Sequence, residues 1–257
     1  MIPLSQPAKT IQEVQNKGVF EIEALYPGYG VSVGNTLRRV LLSSLQGAAI
    51  TQVKIRGVAH EFSTIPGVAE DVVTIILHLK QVRFRIFSDE PQIVTLKVKG
   101  EKKVKAGDIK TSSEVQVINK DMVIANLQGK QAELDMELRI ERGIGYVPVE
   151  ARKGEKQEIG AIALDAAFSP VRRVSFRVEA MRIGERTDFD RLTLEIETDG
   201  SLNPQAALAQ AIEILLAQFQ RIGEGLSKET ATPSEEKKQK KSKAKPKKAA
   251  KVKSKKK

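Results

Sequence analysis

The stretch Gly34-Asn35-Thr36-Leu37-Arg38-Arg39-Val40-Leu41-Leu42-Ser43-Ser44 reads as a helix that carries two arginines. Asn35 is a residue type that caps helix starts, because its side-chain oxygen can accept from a backbone N–H with no partner inside the helix. Leu37, Val40, Leu41 and Leu45 follow at i, i+3, i+4 and i+8, which is one face of a 3.6-residue period. Gly47 supplies a stop. The spacing therefore predicts a helix from Asn35 to near Gly47. Arg38 and Arg39 leave its apolar face, so they form either a solvated surface or a binding patch.

On either side of this helix, Val19 to Leu25 and Ile50 to Val58 read as strands. Glu70 to Lys80 contains Val72, Val73, Thr74, Ile75 and Ile76, and its β-branched residues favour a strand. From Ala132 to Glu141 the alternation is strict. Ala132, Leu134, Met136, Leu138 and Ile140 share one side, while Glu133, Asp135, Glu137, Arg139 and Glu141 share the other. That is a strand with one buried face and one wet face. Arg173 to Ile183 and Leu192 to Thr198 read as a hairpin joined by the polar stretch Gly184 to Asp190. A strong helix follows, with Asn203 as cap, Pro204 in the first turn, and Leu208, Ala211, Ile212, Leu215, Phe219 and Ile222 on one stripe before Gly223.

The 257 residues are 40% apolar, enough to bury one or two cores. The net charge of +11 sits entirely in one place: Lys228 to Lys257 carries 14 lysines against Glu229, Glu235 and Glu236, and the rest of the chain is neutral. A neutral body gives no sign of a basic nucleic-acid face. Beyond Gly225 large apolar residues nearly vanish, so residues 226–257 are expected to be a disordered tail. There is no cysteine, and the two histidines are too few for a histidine-based metal site. No apolar run is long enough to span a bilayer, and no membrane partner is expected.

Catalytic constellations are equally sparse. Gly28, Gly30 and Gly34 suggest a phosphate loop, but the third glycine of the dinucleotide fingerprint would fall on Val33. A turn before the helix is the better reading. Glu133, Asp135 and Glu137 alternate with apolar residues as any solvated strand face does. His60 has no nucleophile arrangement beside it, and His78 lies in an apolar run where packing or an interface explains it. No catalytic residue, metal site or cofactor is assigned.

The helix quoted first resembles the signature helix in the amino-terminal domain of bacterial-type RNA polymerase alpha subunits. Further elements keep that family's order. They are Gly57-Val58-Ala59-His60-Glu61-Phe62-Ser63-Thr64, Glu70-Asp71 through Leu79-Lys80, and Gly143-Ile144-Gly145-Tyr146-Val147-Pro148. Asp165 to Arg173, Arg186-Thr187-Asp188-Phe189-Asp190 and Glu195 to Pro204 complete the set. The match runs from Val14 to Gly225, and it alone makes Glu70 to Lys80 a helix.

The resemblance implies an α+β fold in two parts: an α/β dimerisation domain of residues 1–46 and 174–225, and an inserted mainly β domain of residues 47–173. It implies a homodimer paired through Leu37, Val40, Leu41 and Leu45 with Leu208, Ile212, Leu215 and Phe219. It also implies that Arg38 and Arg39 face the beta subunit, and that Lys80 and Leu164 face beta-prime. The alpha chain is then a non-catalytic assembly scaffold of a cytoplasmic, nucleoid-associated nucleotidyltransferase. The family's usual helix-hairpin-helix domain is not expected after Gly225. In its place Lys237, Lys238, Lys240, Lys241, Lys247 and Lys248 belong to a tail that either solubilises the protein or tethers nucleic acid without reading sequence. Of two rival classes, a free-standing DNA-binding protein leaves the long ordered match unexplained, and the missing chemistry argues against a small-molecule enzyme.

Overall fold

The structure, a computed structural model, describes residues 2–152 and 160–229, with side chains described as far as Glu224. It is α+β. In chain order come β1 (Lys9–Val14), β2 (Lys17–Leu25), α1 (Tyr29–Ser43), β3 (Gln46–Ile55), α2 (Val72–Leu79), β4 (Phe84–Ile86), β5 (Gln92–Lys99) and β6 (Lys102–Lys105). Then follow β7 (Val115–Val117), β8 (Val123–Leu127), β9 (Glu133–Ile144), β10 (Tyr146–Val147), β11 (Ala161–Ala163), β12 (Ala166–Ala167), β13 (Val171–Ile183), β14 (Arg186–Thr198) and α3 (Pro204–Glu229). Contacts divide the chain into two compact units, Met1–Ile214 and Leu215–Lys257.

Within the first unit one antiparallel sheet has the order β1-β2-β14-β13. It joins residues from both ends of the chain, and α1 packs on β13 and β14. Alternation explains its buried side: Phe20 and Ile22 from β2 pair with Leu194 and Leu192 from β14, where Ile196 is buried opposite Gly18. The connection between β13 and β14 is shorter than the polar stretch Gly184 to Asp190 suggested. The ladder runs to Ile183 opposite Arg186, and Gly184 takes φ +60°, the conformation that a two-residue hairpin turn demands. Polar residues extend the strand because Phe189 is buried and draws its neighbours into register with Met181.

A second antiparallel sheet, β11-β3-β9-β5, is built from the middle of the chain. Its central strand β9 buries Leu134, Met136, Leu138 and Ile140 as the alternation predicts. On the wet face Asp135 and Glu133 stand opposite Lys97 and Lys99 and form ion pairs of 3.2 and 3.1 Å with them. Those carboxylates are thus a charged strand face, the reading favoured from sequence.

Glu70 to Lys80 is where propensity fails. The segment is the helix α2, capped by Asp71, whose carboxylate accepts from the Thr74 amide at 2.8 Å. Val72, Ile75, Ile76 and Leu79 are buried in one core with Phe84, Leu96 and Leu138. Burying each large apolar side chain contributes about 1.5–3 kcal/mol, whereas the helix penalty of a β-branched residue is only a few tenths. Burial therefore decides.

Candidate functional site

The first candidate surface is α1. The helix begins six residues before the predicted cap, at Tyr29, and Asn35 is an exposed residue in its interior. The reason is tertiary. Asp190, on β14, places its carboxylate at the helix start and accepts from the amides of Gly28 at 2.9 Å and Gly30 at 3.0 Å. The helix N-terminus that could have cradled a phosphate is thereby occupied by the protein's own anion. Gly34 is there for close approach: a Cβ at that position would lie 2.7 Å from the Phe176 ring. At the other end the helix stops at Ser43, with the Ser44 amide bonded to the Val40 carbonyl, and Gly47 belongs to β3.

This placement sorts the predicted residues. Leu37, Leu41 and Leu45 are buried within the single chain. The face spaced for burial packs inside the subunit. Val40 stays half-buried. Arg38 and Arg39 are both exposed, and neither guanidinium has a hydrogen bond or ion pair among the described residues.

The second surface is a groove of about 300 Å³ between α2 and the segment around β11. It brings Lys80 and Leu164 together across the sequence. Lys80 Nζ donates to Asp165 at 3.0 Å, and the other oxygen of that carboxylate accepts from the Val149 amide at 3.1 Å. The Lys80 hydrogen bond, with help from the Val149 amide, lowers the pKa of Asp165 below the ordinary carboxylate value. Leu164 is buried, so its side chain forms the floor of the groove and makes no exposed contact. Sequence reasoning missed the walls: Phe62 is 80% exposed and Leu77 is 52% exposed. A signal for Leu77 existed, since it lies off the i, i+3, i+4, i+7 face of Val72, Ile75, Ile76 and Leu79.

The third surface is α3. Asn203 caps it, accepting from the Gln205 amide at 2.7 Å, as the sequence indicates. Leu208 and Ala211 are buried and Ile212 half-buried. In the second unit the same stripe continues through Leu215, half-buried, to Phe219 and Ile222, which are 63% and 61% exposed, and Leu216 beside it is 55% exposed. The helix runs past Gly223 to Glu229, so residues 226–229, expected as tail, are helical. The six tail lysines named above lie outside the described residues.

His78 Nδ1 is 2.8 Å from the Ile124 carbonyl and ties α2 to β8. His60 lies 3.2 Å from the Ser63 hydroxyl in an exposed turn. Among the described residues no three His, Asp or Glu side chains converge as a metal site would require.

Three surfaces stand out: the exposed arginines of α1, a groove with apolar walls and, on α3, an exposed apolar end. Residues 53–169 match the family model of the RNA polymerase Rpb3/RpoA insert domain. Over 228 residues the chain is 46% identical to the DNA-directed RNA polymerase subunit alpha of Moorella thermoacetica, covering 88% of this chain and 72% of that one. Against the subunit alpha of Thermus thermophilus it is 48% identical over 237 residues, 91% of this chain and 75% of the relative. The subunit of the same name from Symbiobacterium thermophilum is 47% identical over 218 residues, 84% and 69% of the two chains. The chain belongs to the family of DNA-directed RNA polymerase alpha subunits.

Proposed function

We propose that this chain is the assembly scaffold of a DNA-directed RNA polymerase, a homodimer that recruits the beta and beta-prime subunits and makes no phosphodiester bond itself. The observation that carries the reading is the apolar end of α3: Leu216, Phe219 and Ile222 lie in water in the single chain, and exposed large apolar side chains in a row mark a surface that another protein covers. In this reading residues 1–46 and 174–225 pair the two copies, and residues 47–173 form the inserted domain. Arg38 and Arg39 have free donors for the beta subunit. The groove holding Lys80, with Phe62 and Leu77 as its walls, takes beta-prime.

The tail from Lys228 is read as an electrostatic tether to nucleic acid, since lysines without aromatic residues or arginines can pair with phosphates but neither stack nor read bases. A cytoplasmic, nucleoid-associated location follows from the same assembly. Co-purification with affinity-tagged protein tests the scaffold: recovery of two large subunits in stoichiometric amounts is the expected outcome. Recovery of the chain with bulk DNA and no large subunit would refute it.

A further inference from the structure

A cavity of about 450 Å³ lies wholly inside the unit Met1–Ile214, and its lining includes neither the α1 arginines, the Lys80 groove nor the exposed apolar residues at the end of α3. Its walls are the start of β3, β4 with the residue after it, the end of β9, and the first turns of α3. Its size falls in the range that encloses small organic ligands. The chemistry of the lining is uneven. Among the described residues Arg85 and Arg142 are its only charged ones, and no acidic side chain lines it.

Both guanidinium groups are held in place with N–H groups to spare. Arg85 donates Nε to the Ser201 carbonyl at 2.7 Å and Nη2 to the Gly200 carbonyl at 3.4 Å, neutral acceptors that leave its charge uncompensated. Arg142 donates to the Ile86 carbonyl at 2.8 Å and to Asp89. A guanidinium has five N–H groups, so each keeps donors for an anion. The carboxylates bonded to the lining, Asp89 on Arg142 and Glu13 on Asn203, stand outside it.

The remaining lining is suited to a flat, polar-edged ring. Phe87 is 61% exposed, a π-face open to stacking. The side-chain amides of Gln46 and Gln210 make no hydrogen bond among the described residues, and each offers both a donor and an acceptor. We propose that this cavity binds a small organic anion made of a phosphate or carboxylate joined to a heterocyclic ring, the anion on Arg85 and Arg142 and the ring against Phe87.

AMP is a suitable probe, with adenosine and inorganic phosphate as its halves, titrated by calorimetry into the full chain. The variants are Arg142→Gln and Phe87→Ala, at partly or largely exposed positions. AMP is expected to bind with Kd below about 1 mM, more tightly than either half. Arg142→Gln should weaken it about tenfold, the loss of one charged hydrogen-bonding partner, and Phe87→Ala by a smaller factor. No binding of AMP at several times that concentration would overturn the proposal. So would equal binding by all three proteins, which would place the nucleotide on the lysine-rich end instead. Neither outcome touches the scaffold reading, whose test is recovery of the large subunits.

Discussion

Asp190 shows how much one carboxylate can decide. It caps a helix more than 150 residues away in sequence by accepting from two of its first amides. Asp190→Ala should cost about 1–2 kcal/mol of stability, the usual range for losing a cap, while Asp190→Asn keeps an acceptor and loses less. Urea midpoints of the two variants check the order. Asp165 makes a pH-dependent contribution. Its folded pKa lies below the ordinary value of 3.8, first because of the Lys80 hydrogen bond, so its stabilisation is fully present above that value and is lost as pH falls through the folded pKa. The pair is partly solvated, and such pairs contribute at most about 1 kcal/mol. Lys80→Met should therefore flatten the acid limb of stability below about pH 4 while leaving the fold intact, as denaturant titrations at pH 7 and pH 3 would reveal. Arg39→Ala tests the exposed pair on α1: the variant should remain a folded dimer and bind the beta subunit more weakly by about 2 kcal/mol. Unchanged affinity would return Arg38 and Arg39 to a solvated helix face.

At the scale of elements, α1 and α3 divide their apolar residues between two tasks. On α1 the regular leucine face is spent inside the subunit, and Gly34 allows the helix to sit against Phe176. Gly34→Ala should destabilise by about 1–3 kcal/mol, because the added methyl meets the Phe176 ring and the fully buried Leu192 at under 3 Å. On α3 the stripe passes from buried Leu208 and Ala211 to exposed Phe219 and Ile222. Phe219→Asp places a charge where a second copy is proposed to pack. Sedimentation at micromolar concentration should show a shift from dimer to monomer, with little change in the thermal midpoint of the monomer. A variant that stays dimeric would move the interface elsewhere.

For the whole molecule the charge is segregated, with a neutral body and a lysine-rich end. If that end tethers nucleic acid, assembled polymerase lacking Lys228 to Lys257 should bind all DNA sequences more weakly. Its dependence of log affinity on log salt should also be shallower by several units, at about 0.9 per duplex phosphate released. Equal slopes would leave the tail a solubilising extension. The sequence by itself determined what depends on local period and composition. These are the buried and wet faces of β9, the capped start and apolar stripe of α3, the segregated charge, and the ordered motifs that mark the family. Period says that a face is apolar but not what covers it, and propensity weighs tenths of a kcal/mol against the kcal/mol of burial. Period and propensity therefore could not make Val72 to Leu79 a helix, start α1 at Tyr29 under Asp190, or enclose Leu37, Leu41 and Leu45 in their own subunit; tertiary packing did. It alone gathered Phe62, Leu77, Lys80 and Leu164 around one groove, because each of these outcomes depends on partners far away along the chain.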